Sequence, residues 1–280
     1  MQNFVFWGTP DVASETLEIL KQAGFLPSLI ITSPDKPQGR KMLITPPPVK
    51  VWATLNKIPY LQPEKLNEDF FNQLQATSYK LSVVVAYGKI IPEKILNMPE
   101  FGSINIHYSL LPKYRGASPV ESAILNGDVE TGVTIQKMEF KMDSGPIIAQ
   151  EKVKISPDEK APELRKRLIK QGGEILVKIL PEFIAGKIKL IPQNESLASV
   201  CGKIKKEDGL INLGAELPNV LYNKFRAYAT WPRIFFFKDG KRIIITNAEL
   251  IDNKFVIKKV LPEGRKEITW EEFKKTNTSK

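Results

Sequence analysis

The chain has 280 residues, 42% of them hydrophobic and 26% charged, which is the composition of an ordinary globular protein. No apolar run approaches the roughly 18 residues needed to span a bilayer, and the amino terminus lacks a basic leader, so neither a membrane span nor a signal peptide is expected. A single cysteine excludes an internal disulfide and fits a reducing cytoplasm. With only one histidine besides, a zinc site of the usual nitrogen and sulfur type is not expected.

The positive charge is concentrated in the last third of the chain. Residues 186–280 contain 19 Lys and Arg against 11 Asp and Glu, and so carry +8 of the net charge of +10. An uneven basic segment suggests a polyanionic partner, with nucleic acid as the leading candidate. A merely solvated basic surface is the alternative, because no aromatic-basic recognition motif appears.

The first part of the chain alternates predicted strands and helices. Buried strands are predicted at 3–7, 29–32 and 81–86, and helices beginning at 10–11 and 46–48. The β-branched run in the third of these strands suits the centre of a parallel sheet. Between them, Ser33–Lys41 contains two prolines and a glycine and predicts no regular structure. The repetition up to about residue 126 predicts a doubly wound α/β layer.

The pattern changes after residue 126. A hairpin-connected strand pair is predicted at 131–138 and 146–153, with Asp143 in its turn, followed by a long amphipathic helix over 164–183. The polar, irregular segment 187–203 predicts a linker. The remainder contains one predicted helix at 217–228 and strands at 234–237, 242–250 and 254–260. This predicts a small β-barrel or sandwich with one helix.

The stretch 103–116 carries the candidate chemistry. Its Ile-x-Ile alternation puts Asn105 and His107 on one polar face of a strand and two isoleucines on the other face. Together with Asp143, these side chains have the types that addition to a carbonyl carbon needs. The amide can donate to an oxyanion, the imidazole can do the same or carry protons, and the carboxylate can orient the ring. A core histidine capped by asparagine, near an unrelated turn aspartate, is the alternative.

A longer pattern surrounds these residues. It comprises Asn105-x-His107-x-Ser109-Leu110-Leu111-Pro112, Arg115-Gly116, Asp143-Ser144-Gly145, Gly8-Thr9-Pro10, Ala86-Tyr87-Gly88 and Thr131-Gly132-Val133-Thr134-Ile135. With this pattern the chain resembles the folate-dependent formyltransferases over nearly all of its length. The resemblance implies a Rossmann-like doubly wound formyltransferase domain at 1–186, a linker at 187–203, and a basic, OB-like β-barrel domain at 204–280 that binds tRNA.

The resemblance also implies a reaction. The formyl group of 10-formyltetrahydrofolate, the donor substrate, would pass without a metal to the α-amine of methionine carried by initiator tRNA, for translation initiation. Asn105 and His107 would stabilise the oxyanion, and Asp143 would keep His107 charged and correctly turned. The expected partner is initiator methionyl-tRNA, with no membrane, and the chain is expected to be a cytoplasmic monomer.

Further residues take roles from the resemblance. Folate contacts are implied for Ser109, Leu110, Leu111, Pro112, Ala86, Tyr87, Gly88 and Ile91, with a cis bond expected before Pro112. Contacts with the tRNA acceptor stem are implied for Arg40 and Lys41, and the border of a methionyl pocket for Gly8, Thr9, Pro10 and Val12. Without the family, the two basic residues are solvated loop charges, and the segment 109–112 is an ordinary exit from a strand.

Two other functions stay open. A formyltransferase acting on a small amine, such as an amino-sugar nucleotide, shares the Asn-x-His and Ser-Leu-Leu-Pro patterns. The loop containing Arg40 and the basic carboxyl-terminal segment favour an RNA substrate instead. An RNA-binding module on an inactive Rossmann-like scaffold belongs to a different class, and the complete set of Asn105, His107 and Asp143 argues against it.

Overall fold

The computed structural model describes residues 3–39 and 41–278. Its strands are β1 (Phe4–Gly8), β2 (Leu29–Ile31), β3 (Lys36–Gln38), β4 (Leu43–Thr45), β5 (Tyr60–Leu61), β6 (Leu81–Val85), β7 (Ser103–His107), β8 (Arg115–Gly116), β9 (Glu130–Lys137), β10 (Ile147–Lys154), β11 (Val200–Cys201), β12 (Phe235–Lys238), β13 (Lys241–Ile251), β14 (Lys254–Pro262) and β15 (Ile268–Thr269). Its helices are α1 (Asp11–Gln22), α2 (Pro48–Leu55), α3 (Glu68–Gln75), α4 (Glu93–Leu96), α5 (Pro119–Leu125), α6 (Ala161–Ile184), α7 (Pro218–Ala227) and α8 (Trp270–Thr278). No helix in the described residues combines the length and apolar character that crossing a bilayer requires.

These elements form two compact units, each assembled from separate stretches of chain. The first consists of the described residues of Met1–Arg115, Gly132–Lys152 and Arg167–Ser199. The second consists of those of Gly116–Thr131, Val153–Lys166 and Val200–Lys280. Most of the segment 187–203, interpreted from its composition as a linker, is therefore part of the first unit. The domain limits given above stay predictions.

A mixed sheet organises the first unit. Its strand order is β10-β9-β7-β6-β1-β2-β5. The strands from β7 to β5 run parallel to their neighbours, whereas β9 pairs antiparallel with β7. β6 lies in the middle, which its run of valines predicts. The doubly wound α/β prediction is confirmed, and β9 and β10 are neighbours as expected.

Helices pack on both faces of this sheet. On one face the buried side chains of Trp7 and Val84 pack in a cluster with Phe70 of α3. On the other face, a Cβ added at Gly172 of α6 would lie 3.0 Å from Cγ2 of Ile106. The glycine therefore lets the helix approach β7 closely. Burying each large apolar side chain in these layers contributes about 1.5–3 kcal/mol.

The segment Ser33–Lys41 differs from its prediction. It contains β3, which pairs antiparallel with β4, so that Pro37 lies opposite Ile44. Proline is tolerated here because a two-stranded ribbon has two edges, and a missing N–H on an outer edge breaks no ladder. Gly39 has φ +70° and Met42 has φ +50°, which supplies the tight turn. The prediction of an irregular loop is therefore wrong.

The second unit contains the predicted small antiparallel β domain. In its described residues the strand order is β12-β13-β14-β15. α7 agrees with the predicted helix, and α8 is an additional one. In α8, the rings of Trp270 and Phe273 stack with centroids 5.3 Å apart, and both meet Phe236 edge-on. The antiparallel domain is confirmed, and its closure into a barrel stays a prediction.

Candidate active site

Asn105 and His107 lie on the same face of β7. In the sheet register, Asn105 is paired with Val84 of β6 and with Gln136 of β9, and His107 with Thr134 of β9. Directly paired residues share a face, so a polar surface extends from β7 onto β9. Ile104 and Ile106, which alternate with them along the strand, are buried on the opposite face. The alternation read from the sequence is therefore present in the fold.

Asp143 reaches this face from the loop between β9 and β10. The loop starts next to the beginning of β7, where the Met138 amide donates to the Ser103 carbonyl. It must then fold back over the sheet, which brings Asp143 Oδ2 to 3.7 Å from Nδ1 of His107. Asp143 has φ +52°, a left-handed conformation that aspartate adopts more readily than most residues. The structure thus brings the three candidate catalytic residues together.

The imidazole of His107 is held through both ring nitrogens. Nε2 lies 2.8 Å from the carbonyl oxygen of Tyr114. A carbonyl only accepts, so Nε2 carries a hydrogen. Nδ1 is then the nitrogen that faces Asp143, and the two groups form an ion pair when the ring is protonated. His107 is only 6% exposed, so the carboxylate and not solvent is the polar neighbour of Nδ1.

The carboxamide of Asn105 is also oriented by its neighbours. Its Nδ2 donates to the Val84 carbonyl at 3.0 Å, and its Oδ1 accepts from Nε2 of Gln136 at 3.5 Å. Because an amide nitrogen carries two hydrogens, Asn105 can keep the Val84 bond and still donate to an oxyanion. Gln136 Nε2 also donates to Oδ1 of Asp143 at 2.9 Å.

A buried arginine supports the Asp143 turn from behind. Arg115, 5% exposed, donates to Oε1 of Gln193 from Nε and Nη2 at 3.1 and 2.7 Å, and to the carboxylate of Glu195 from both Nη atoms. Gln193 Nε2 in turn donates to the carbonyls of Asp143 and Gly145, at 2.9 and 2.7 Å. The hydrogen bonds from Arg115 lower the pKa of Glu195 to about 2. This network fixes the backbone that carries the Asp143 carboxylate.

The segment 109–112 is shaped by buried polar contacts. The peptide bond between Leu111 and Pro112 is cis, as expected. Thr134 Oγ1 donates to the Ser109 carbonyl at 2.7 Å and accepts from the Leu111 amide at 3.1 Å. The Ser109 hydroxyl donates to the carbonyl of Lys113. The Ser109 and Leu111 side chains are buried, so they hold the segment in shape. The folate contacts of 109–112 stay a prediction.

The segment 86–91, which follows β6, contains both buried side chains and exposed residues. Tyr87 and Ile91 belong to the buried cluster, and the Tyr87 ring meets Trp7 edge-on at 5.2 Å. Burial raises the pKa of Tyr87 to about 12. Ala86 and Gly88 are exposed and have φ +46° and +82°. Of the residues predicted to meet folate here, these two present their backbone at the surface.

The residues predicted to border a methionyl pocket lie next to that segment. The Thr9 hydroxyl donates to the Tyr87 carbonyl at 3.0 Å. A Cβ on Gly8 would lie 2.5 Å from Cβ of Ala13, so only glycine fits at the end of β1. Pro10 is exposed and Val12 half-buried. The residues predicted for the methionyl pocket therefore lie beside the 86–91 segment at the carboxyl edge of the sheet, where ligands of open α/β sheets bind.

The predicted tRNA-contacting loop is the β3–β4 hairpin. Lys41 is exposed in its turn. Arg40, the other basic residue predicted to bind the acceptor stem, lies outside the described residues. The contact with tRNA therefore stays a prediction for both.

Two supporting residues, Gln136 and Gln193, are missing from the sequence prediction. The sequence did indicate the position of Gln136, because strand alternation puts it on the same face as Thr134 and on the other face from Ile135. Gln193 carried none, because it lies 50 positions after Asp143 in a segment without periodicity.

Comparison with known families agrees with this geometry. Residues 2–180 match the family described as "Formyl transferase". The chain belongs to the formyl transferase family. Residues 203–256 match "Formyl transferase, C-terminal domain". The first match includes β7 with its polar pair and the loop of Asp143, so Asn105, His107 and Asp143 all lie within the matched residues.

Several members of the family are similar in sequence. The methionyl-tRNA formyltransferase of Chloroflexus aggregans is 42% identical over 246 residues, which cover 87% of this chain and 79% of that protein. The methionyl-tRNA formyltransferase of Thermotoga maritima is 40% identical over 247 residues, covering 88% of this chain and 76% of that protein.

Solved structures share the fold at lower identity. The N-formyltransferase from Helicobacter canadensis, in complex with folinic acid and dTDP-3-aminofucose, has a TM-score of 0.65 and 20% identity, covering 92% of this chain and 95% of that one. The methionyl-tRNA formyltransferase from Clostridium thermocellum has a TM-score of 0.62 and 16% identity, covering 94% and 99%.

Proposed function

We propose that the protein transfers the formyl group of 10-formyltetrahydrofolate to the α-amine of methionyl initiator tRNA, giving N-formylmethionyl-tRNA for translation initiation. The observation that carries this proposal is the 39–42% identity to methionyl-tRNA formyltransferases over 87–90% of the chain. The sugar N-formyltransferases among the similar structures are only 15–21% identical and support the fold alone. A tRNA-linked amine is therefore favoured over an amino sugar.

The geometry around His107 supports a role for each candidate residue. Asn105 Nδ2 would donate to the formyl oxygen as negative charge develops on it during attack by the amine, and the protonated His107 ring would stabilise that charge electrostatically. Asp143 would balance the ring charge and relay the proton that the amine loses to the departing tetrahydrofolate nitrogen, directly or through water. Removing one donor to a developing oxyanion typically costs about 10²–10³ in turnover.

The surface around the site suits the proposed donor. A flat, partly apolar donor needs apolar side chains and free backbone polar groups in reach of the reacting residues. Ile90 follows the exposed backbone of Ala86 and Gly88, and Phe140 and Met142 precede Asp143 in its loop. These three apolar side chains are 84%, 62% and 66% exposed. Such exposure is unfavourable in water and would be relieved by a bound pterin.

The tRNA partner is proposed from charge and family. Residues 186–280 carry +8 of the net charge, and 203–256 match the family's C-terminal domain. We assign catalysis to residues 1–186, tRNA binding to residues 204–280 and to the loop with Arg40 and Lys41, and a linker to 187–203. A cytoplasmic monomer completes the proposal.

A comparison of four amine substrates tests this function. Purified protein and 10-formyltetrahydrofolate are given charged initiator tRNA, charged elongator tRNA, free methionine or a dTDP-amino sugar, and formyl transfer is measured for each. Transfer to charged initiator tRNA alone is expected. Transfer to the amino sugar would favour a formyltransferase that acts on a small amine. Binding of tRNA without any formyl transfer would indicate an RNA-binding module.

A further inference from the structure

We propose that Gln136 is a positioning residue for formyl transfer, acting by holding Asn105 and Asp143 in one fixed arrangement. The inference rests on the proposed formyl transfer at this site. Gln136 is 1% exposed, and its Nε2 lies 2.9 Å from Asp143 Oδ1 and 3.5 Å from Asn105 Oδ1. One amide group therefore joins two of the three candidate catalytic side chains.

The orientation of the Gln136 amide follows from its neighbours. Both atoms in front of it are acceptors, one a carboxylate oxygen and the other an amide oxygen. Only the NH2 group can face them, because the reversed amide would put Oε1 against the Asp143 carboxylate. The side chain is fixed further by the antiparallel register, which pairs Gln136 with Asn105.

This orientation leaves the other end of the amide unsatisfied. Within the described part of the chain, Oε1 of Gln136 is shielded from solvent and has no hydrogen-bond partner. A buried acceptor without a partner disfavours the folded state. An apolar side chain of the same size would avoid this cost but would lose the contacts to Asp143 and Asn105, which are what the amide contributes to the site.

The consequence of the contact is the direction of the Asp143 carboxylate. Its Oδ1 is occupied by Gln136, and the backbone of the turn is held by Gln193 at the Asp143 carbonyl. Oδ2 is thereby left to face Nδ1 of His107. Loss of the Gln136 donor would let the carboxylate rotate away from the ring, while the substrate-binding surfaces stay unchanged.

Two substitutions test the proposal. Gln136→Met nearly keeps the volume and removes both ends of the amide. We expect its kcat to fall about 10- to 100-fold, the loss expected for one hydrogen bond to a charged group. The KM values for donor and charged tRNA should stay unchanged, and the thermal midpoint should stay equal or rise because the unpaired Oε1 is gone. Gln136→Glu keeps the shape but puts a second carboxylate against Asp143, so its kcat should fall further and its thermal midpoint should fall below that of the wild type.

Two controls separate positioning from a general effect on the fold. Gln171 is a half-buried glutamine on α6 whose Nε2 donates to Glu151, and Gln171→Met should keep wild-type kcat. If Gln136 acts through Asp143, adding Gln136→Met to Asp143→Asn should cost much less than it does in the wild type.

The outcomes are decisive in either direction. A wild-type kcat in Gln136→Met would overturn the proposal. The proposal would also fail if the loss of activity in Gln136→Met were fully explained by a smaller fraction of folded protein. The substrate assay with the wild-type protein tests the proposed function separately. If wild type formylates an amino sugar rather than charged tRNA, and Gln136→Met still lowers that kcat, the substrate assignment fails and the positioning role stands.

Discussion

The Asp143→Asn substitution gives the most direct test of the candidate site. It keeps the size of the side chain and an oxygen for Gln136, and it removes the charge that faces His107. A charged imidazole and a carboxylate 3.7 Å apart attract each other by about 4 kcal/mol at an effective dielectric constant of about 20. Both side chains are mostly buried, at 7% and 16% exposure, so little of this attraction is screened.

This magnitude sets the expected rate loss. If the transition state requires the protonated ring, the loss of about 4 kcal/mol corresponds to roughly 10³ in the rate of transfer. The measurement is single-turnover formyl transfer at saturating donor and charged tRNA, near neutral pH. Circular dichroism should be unchanged, because the Gln193 contacts hold the backbone of the turn.

A matched control removes a carboxylate that does not face the ring. Glu139 is exposed in the same loop, and Glu139→Gln should keep the wild-type rate. A rate for Asp143→Asn within tenfold of wild type, with an intact fold, would refute the ion pair as the source of catalysis. Equal losses in both variants would point to a general effect of loop charge.

Two further predictions concern stability. In Gly132→Ala the new Cβ would lie 2.2 Å from the Glu151 carbonyl oxygen, so we expect the free energy of unfolding in urea to fall by about 1–3 kcal/mol. Gly202→Ala is the control, because its new Cβ meets no atom within 4 Å. Equal urea midpoints for the two variants would contradict the reasoning. Burial raises the pKa of Tyr87 and Tyr228 to about 12 from 10.0, so the unfolded state loses these protons first and stability should fall as pH rises from 10 to about 12. An ultraviolet titration would refute this if every tyrosine ionised near pH 10 with the fold intact.

The sequence predicted the elements that have strong periodicity. The strands β1, β6 and β7 and the helices α1 and α6 follow from hydrophobic runs and alternation, because each must bury an apolar face. The β3–β4 hairpin was missed because its strands have three residues each, too few for a pattern, and include Pro37. α8 was missed for a similar reason, since its sequence contains just two apolar residues, Trp270 and Phe273.

The sequence by itself determined that Asn105 and His107 share a face, because side chains on a strand alternate with period two. It also named Asp143, through its resemblance to a family. Only the tertiary structure decided that Oδ2 of Asp143 faces Nδ1 of the ring, since the loop folds back across the sheet. It also decided that Gln136 and Gln193 hold that carboxylate. Contacts between residues up to 50 positions apart depend on sheet register and loop path, and neither of these leaves a local pattern in the chain.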